Sequence, residues 1–249
     1  MHKTDLRDKA GSDQEIPRVS VVIPCLNEEE SIGGCLAEIA RSQSAFGAPF
    51  QVIVVDNGST DGSAAAIREG LKAFRHGQLV NETKRGYGAA YLAGFKHVRA
   101  PFIFMADGDG SYDFMNIPRF MEELQTGPDV ILGDRFAGKM NREAMPFMHR
   151  YVGNPVLSAM LRVLLRSGVH DAHSGMRAFR SSLLNDVRLE SPGMEFASEM
   201  IVAFMEAGAT IRELPIDYRP RQGDSKLRPF RDGLRHVRFM LVRRFKSKK

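Results

Sequence analysis

Short apolar, β-branched runs alternate with helical patterns along the first half of this chain, and that alternation limits its fold more than any other feature. Residues 19–23, 51–55 and 102–106 read as strands, with 78–80 as a weaker one and 130–132 as another. Between them, a helix is expected from about Glu29, and two more over 64–74 and 88–98. The run 102–106 is apolar throughout, as in a strand covered on both faces. Strands that alternate with helices imply βαβ units. The expected fold class is therefore α/β, a mixed, mainly parallel sheet covered by helices. After Gly133 the pattern changes. Residues 135–150 read as loop, a helix follows Pro155, and 170–180 is a polar stretch. A helix over 195–207, a strand over 210–214, a mobile loop over 219–228 and a final helix over 231–245 complete the expectation.

The 249 residues suit one large domain. We expect a disordered polar leader over 1–17, a catalytic domain over 18–227 and a basic amphipathic helix over 228–249. The two cysteines, Cys25 and Cys35, cannot make the framework of a small secreted domain and read as reduced thiols of a cytoplasmic protein. No apolar run approaches the ~18 residues of a spanning helix. The net charge is +5, yet residues 221–249 carry eleven Lys or Arg against two Asp, so the basicity belongs to the tail. Such a tail suits an anionic partner: lipid headgroups, nucleic acid or phosphate. In the last helix apolar residues recur at Phe230, Leu234, Val237, Leu241 and Phe245, one helical face amid arginines and lysines. That composition fits a helix lying on an anionic membrane surface, and equally one packed on its own domain.

Three segments fall at the C-terminal ends of expected strands, where open α/β sheets bind ligands. They are Pro24-Cys25-Leu26-Asn27-Glu28, then 56–62 (DNGSTDG), then Asp107-Gly108-Asp109-Gly110-Ser111. Each alone could be a turn or a helix cap. The third says most: two carboxylates at i, i+2 can reach one hard cation, which would bridge the phosphates of a nucleotide diphosphate. His170, Asp171 and His173 are too few and too poorly spaced for zinc.

Together these segments resemble the GT-A glycosyltransferases of family 2, with Asp107-Gly108-Asp109 as the DXD motif. Later segments are similar to the polyprenyl-phosphate (dolichyl-phosphate) mannose and glucose synthases: 86–88 (GYG), 133–136 (GDRF), 171–180 (DAHSGMRAFR), 194–200 (MEFASEM), 213–216 (ELPI) and 221–227 (RQGDSKL). The resemblance implies inverting transfer of a hexose from UDP-glucose or GDP-mannose to a polyprenyl phosphate, with Mg²⁺ or Mn²⁺ and no nucleic-acid partner. The enzyme would sit peripherally on the inner face of the cell membrane. A family member acting on a soluble acceptor, or an inactive sugar-nucleotide binder, are the alternatives. Pro24, Leu26, Glu28, Asp56 and Gly86 would bind the donor, and Arg221 and Lys226 would close over its diphosphate. Asp107 and Asp109 would hold the metal and, with Arg135 and Arg177, serve catalysis. Arg177, Arg180 and Ser174 would face the acceptor phosphate. Ser111 stands where some relatives place a third ligand. Asp134 and Glu199 are the carboxylates to test for a supporting role.

Overall fold

A computed structural model describes residues 16–141, 144–145, 154–165, 168–223 and 229–246. Seven strands form one sheet in the order β3-β2-β1-β4-β6-β5-β7. β1 (Val19–Cys25) lies at its centre, between β2 (Phe50–Asp56) and β4 (Phe102–Met105), parallel to both. β3 (His76–Asn81) extends the parallel half beyond β2. The other half holds β5 (Val130–Asp134) and β7 (Ile211–Pro215), mutually parallel. β6 (Arg177–Arg180) runs antiparallel between β4 and β5. The chain leaves β1 for β2 on one side and later reaches β4 on the other, so a crevice opens at the carboxyl ends of β1 and β4. The expected mixed, mainly parallel sheet is what the structure contains.

Helices cover both faces. α1 (Ile32–Phe46) buries Ile32, Cys35, Leu36 and Ile39, the spacing of one helical face, and ends at Gly47 in the left-handed conformation (φ 73°). α2 (Ser63–Leu71) and α4 (Ile117–Gln125) share that layer. α3 (Tyr87–Phe95), α5 (Asn154–Leu165) and α7 (Phe196–Glu206) supply the opposite core, and the one-turn α6 (Leu183–Asp186) joins its edge. Cys25 and Cys35 are buried free thiols. Met240 of α8 (Pro229–Lys246) is fully buried in that second core, so the last helix packs on the domain.

Two expectations change. The polar stretch 170–180 hides strand β6, whose four residues begin and end in arginine. Residues 1–15 of the expected leader and 224–228 of the expected loop, with Lys226, lie outside the described residues, so the roles assigned to them are not placed.

Candidate active site

The loops after β1 and β2 are laced together. Asn27 adopts φ 53°; its backbone N–H donates to Ser59 Oγ at 3.0 Å, and its Oδ1 accepts from Thr60 N at 2.7 Å. Glu28 N donates to Ser63 Oγ at 2.8 Å. Asp56 Oδ1 accepts from Ser59 N at 2.8 Å. Pro24, Leu26 and Glu28 are half-buried at the end of β1, and Asp56, paired with Cys25 at the end of β2, is buried. Asn57, which reads as an ordinary turn residue, ties the β2 end to the segment before α3. Its amide donates to the carbonyls of Glu82 (3.0 Å) and Lys84 (2.9 Å) and accepts from Gly86 N (2.7 Å). Gly86 (φ 145°) is needed sterically, since a Cβ there would lie 2.1 Å from Pro192 O.

Asp107 and Asp109 follow β4 into this crevice. Asp109 Oδ1 accepts from Ser111 N (3.0 Å) and Ser111 Oγ (2.5 Å), so Ser111 orients the carboxylate. Its Oδ2 lies 3.5 Å from Arg221 Nη1, and Arg221 Nη2 reaches Glu28 Oε1 at 3.1 Å. Asp107 is walled by Tyr91, whose hydroxyl is 3.5 Å from Oδ1, by Tyr87, and by Gly175, where a Cβ would stand 2.6 Å from Oδ2. Burial pushes the Asp107 carboxyl up to about 7; the Asp109 charge adds to that, and Arg135 and Arg221 pull it back. Two adjacent carboxylates, one of them reluctant to ionise alone, form a donor set suited to a hard divalent cation.

Arg135 comes from the turn after β5. Its Nε and Nη2 grip both oxygens of Asp171 at 2.7 and 2.8 Å, and its guanidinium lies 5.2 Å from the centre of the Tyr218 ring. Burial alone would lower its pKa, but the Asp171 carboxylate together with Tyr112 and Tyr218 raises it well above the ordinary value, so Arg135 stays charged. Ser174 Oγ is buried without a hydrogen-bond partner among the described residues.

Residues 20–188 match the family model described as Glycosyl transferase family 2. The chain belongs to that family. The glycosyltransferase is 42% identical over 231 residues to the low-salt glycan biosynthesis hexosyltransferase Agl6 of Haloferax volcanii, covering 91% of this chain but only 54% of that protein. It is 32% identical over 216 residues to a dolichyl-phosphate hexose transferase of the same organism, covering 86% and 89% of the two chains. Among solved structures, mannosyl-3-phosphoglycerate synthase from Rubrobacter xylanophilus aligns with a TM-score of 0.71 at 17% identity, over 93% of this chain and 75% of that one. Glucosyl-3-phosphoglycerate synthase from Mycobacterium tuberculosis, with Mn²⁺, UDP and glucosyl-3-phosphoglycerate, aligns with a TM-score of 0.66 at 22% identity, over 92% and 80%. These likenesses show that the glycosyltransferase has the GT-A fold.

Some residues expected in the site of this glycosyltransferase lie elsewhere. Arg177 is fully buried under the site and gives its hydrogens to the carbonyls of Ser174 (2.9 Å), Ala172 (3.0 Å) and Ala197 (3.0 Å). It braces the loop 172–174 against α7, so it is not available to an acceptor phosphate as expected. Arg180 pairs with Phe102, at the end of β4 remote from Asp107, and binds Leu124 O and Asp129. Sequence order put it beside Arg177, but β6, antiparallel to β4, carries it to the opposite end of the strands. Glu199 accepts from the backbone of Glu190 and Ser191, and Asp134 from Phe136 and Ala137, so both carboxylates hold loops. The histidines diverge. His170 binds Glu213, which with Asp134 offers three ligand atoms within 4.8 Å of one another. Glu213, however, already accepts from the backbone of His170 and Asp171. His173 turns the other way, to Ser198 (3.2 Å) and His236 (3.3 Å). Sequence reasoning missed the place of the tyrosines around Asp107 and the Asp171 grip on Arg135; Tyr87 and Asp171 lay within quoted segments without those roles, whereas nothing marked Tyr91.

Proposed function

We propose that this glycosyltransferase moves a hexose from a UDP- or GDP-sugar to a polyprenyl phosphate, with inversion, using a divalent cation held by Asp107 and Asp109. The observation that carries the reading is the Asp107–Asp109 pair in the switch-point crevice, with the cations Arg135 and Arg221 beside it. Held by Asp107 and Asp109, a divalent cation would neutralise charge on the leaving diphosphate. Asp56, Pro24, Leu26 and Glu28 border the nucleoside, and Arg221 serves the diphosphate.

An alcohol acceptor would need a general base. A phosphate monoester has a second pKa of about 6 and is already anionic near neutrality. Its oxygen attacks the anomeric carbon, the bond to the diphosphate oxygen breaks on the opposite side, and the nucleoside diphosphate departs with the electron pair. The protein need only hold two anionic groups in line. Arg135 takes the acceptor role expected of Arg177: Asp171 occupies Nε and Nη2 and leaves the Nη1 edge for a phosphate oxygen. The unpartnered Ser174 hydroxyl offers a further donor.

The lipid acceptor is supported by the relative named as a dolichyl-phosphate hexose transferase and by an apolar face on α5 and α8. We read residues 18–227 as the catalytic domain, 1–17 as a leader, and α8 as the element that meets an anionic membrane surface on the cytoplasmic side. A panel of labelled nucleotide sugars, incubated with a short polyprenyl phosphate and Mn²⁺ and then extracted with organic solvent, tests the reading. Label in the organic phase that depends on both acceptor and metal supports it. Transfer only to a soluble acceptor such as 3-phosphoglycerate, or binding without turnover, overturns it.

A further inference from the structure

We propose that Arg221 occupies the cation's place at Asp109 while no donor is bound, so that the site takes a divalent ion only together with a diphosphate. The inference rests on the reading that Asp107 and Asp109 hold the metal.

Asp109 has two oxygens with different duties. Oδ1 is held by both the backbone N–H and the hydroxyl of Ser111, which leaves Oδ2 to face a cation. That oxygen is the one Arg221 addresses, at 3.5 Å. The arginine does not reach it by a wandering side chain. Arg219 N donates to Ser111 O at 3.0 Å and Gln222 N to Asp109 O at 2.9 Å, so the backbone on both sides of Arg221 is sewn to the loop that bears the carboxylate. Its other terminal nitrogen contacts Glu28 across the crevice, 193 residues away in sequence. Arg221 also lowers the cost of ionising Asp107.

This pairing is incomplete. Arg221 Nε is buried with no hydrogen-bond partner among the described residues. A guanidinium with one tip hydrogen-bonded to Glu28, the other in a long ionic contact with Asp109 and Nε unpaired is in a serviceable place, not its best one, and a diphosphate offers two parallel acceptors that match its planar fork. A bare divalent ion offers it nothing: the ion must displace Arg221 from Asp109 and then endure its charge nearby. An ion arriving with a diphosphate brings the anion to which Arg221 can turn. Donor and metal therefore bind with positive coupling, and by linkage each strengthens the other equally.

The test is a Mn²⁺ titration of the full chain, read by the electron paramagnetic resonance of free Mn²⁺, without nucleotide and with UDP or GDP. Arg221→Gln should bind Mn²⁺ alone about tenfold more tightly than wild type, because a competing charge is gone. The same variant should bind the nucleotide in the presence of Mn²⁺ about tenfold more weakly. Arg221→Lys keeps the charge and should keep the exclusion of bare Mn²⁺. Opposite signs at the two ligands cannot arise from a merely damaged fold, and thermal melting of each variant checks that point. If Arg221→Gln leaves the affinity for Mn²⁺ alone unchanged or weaker, the proposal is overturned. Asp109→Asn separates the two levels: if, with UDP or GDP present, it binds Mn²⁺ as tightly as wild type, the metal reading itself has failed and the proposal falls with it.

Discussion

Asp107 holds its proton to a higher pH in the folded chain than in the unfolded one, where an aspartate titrates near 3.8. The folded state therefore binds more protons between about pH 4 and 7, and the metal-free protein loses stability as pH rises through that window. Asp107→Asn removes the charge and should raise the metal-free melting temperature at pH 8, by roughly 1–3 kcal/mol of stability, with little change at pH 4. The same variant should transfer sugar orders of magnitude more slowly, since a carboxylate that costs stability persists for its ligand. Melting curves in EDTA at the two pH values, with a transfer assay, check both halves; equal melting at pH 8 would refute the first. Arg177 carries the contrary prediction. Its replacement by Met removes the guanidinium donor from three buried carbonyls, those of Ala172, Ser174 and Ala197, and leaves a packing defect behind them. The expected loss is about 3–5 kcal/mol of stability, seen as a lowered denaturant midpoint, and not a selective defect in acceptor use.

At the scale of elements, α8 is tied to the site by a polar contact within an apolar seat. His236 of α8 meets Ser198 of α7 at 2.8 Å and His173 at 3.3 Å. His173 Nδ1 is buried without a partner among the described residues. Burial, then His236, then Arg135 and Arg177 hold His173 well below the usual 6.5. The unfolded chain binds this proton more readily, so the folded state loses stability as pH falls below about 6.5. The loss approaches about 1.4 kcal/mol per pH unit below that point, opposite in sign to the Asp107 effect, so each is isolated by its own variant. His173→Gln, which keeps a polar group toward Ser198, should flatten the decline in melting temperature between pH 7 and 5; an unaltered slope would exclude His173. The same element shows how far the sequence could be read. The apolar recurrence at Leu234, Val237 and Leu241 places the helix correctly but not its packed face. Met240 and His236 are buried, whereas Leu234 and Leu241 are 69% and 41% exposed. A second apolar face and a buried histidine defeat a rule that equates apolar with inward. β1, β2 and β4 were legible because strands buried on both faces are continuous apolar runs. β6 was not, because RAFR carries its burial through an arginine satisfied by carbonyls of the preceding loop and of α7, which no alternation of apolar residues announces. Asp107, Asp109 and Glu28 stood out in local segments, while the contacts of Tyr91 with Asp107, Asp171 with Arg135 and Arg221 with Glu28 span 16 to 193 residues and no local pattern encodes them.

For the whole molecule, the question is what meets the apolar surface that the fold leaves outside. Val156 and Val163 of α5 and Leu234, Leu241 and Val242 of α8 are exposed. Val156, Ala159, Met160, Val163 and Leu241 line an open, wholly apolar groove of about 450 Å³ between the two helices. Among the described residues no helix is long and apolar enough to cross a membrane. Two α8 arginines are engaged within the domain, Arg235 toward Glu195 and Arg243 with Glu206, while Arg238 is exposed beside the apolar face. An apolar face flanked by positive charge suits the boundary between headgroups and acyl chains of an anionic leaflet. Burying a leucine side chain there gains about 1.5–3 kcal/mol, and each free basic residue adds about 1 kcal/mol. Deleting α8 would confuse the matter, because Met240 and His236 belong to the core and their loss should unfold the domain. Substitution of exposed positions is the cleaner probe. Full-length protein should pellet with vesicles containing anionic lipid and much less with neutral ones, and salt at 0.5 M should weaken the association by screening. Val163→Glu with Leu241→Glu should abolish pelleting and slow transfer to long polyprenyl phosphates in vesicles. The melting temperature, and transfer to a short, soluble polyprenyl phosphate, should stay near wild type, because neither side chain contributes to the packed interior. Pelleting that survives both substitutions would show that the face serves another purpose, and that the membrane is met through some other part of the chain.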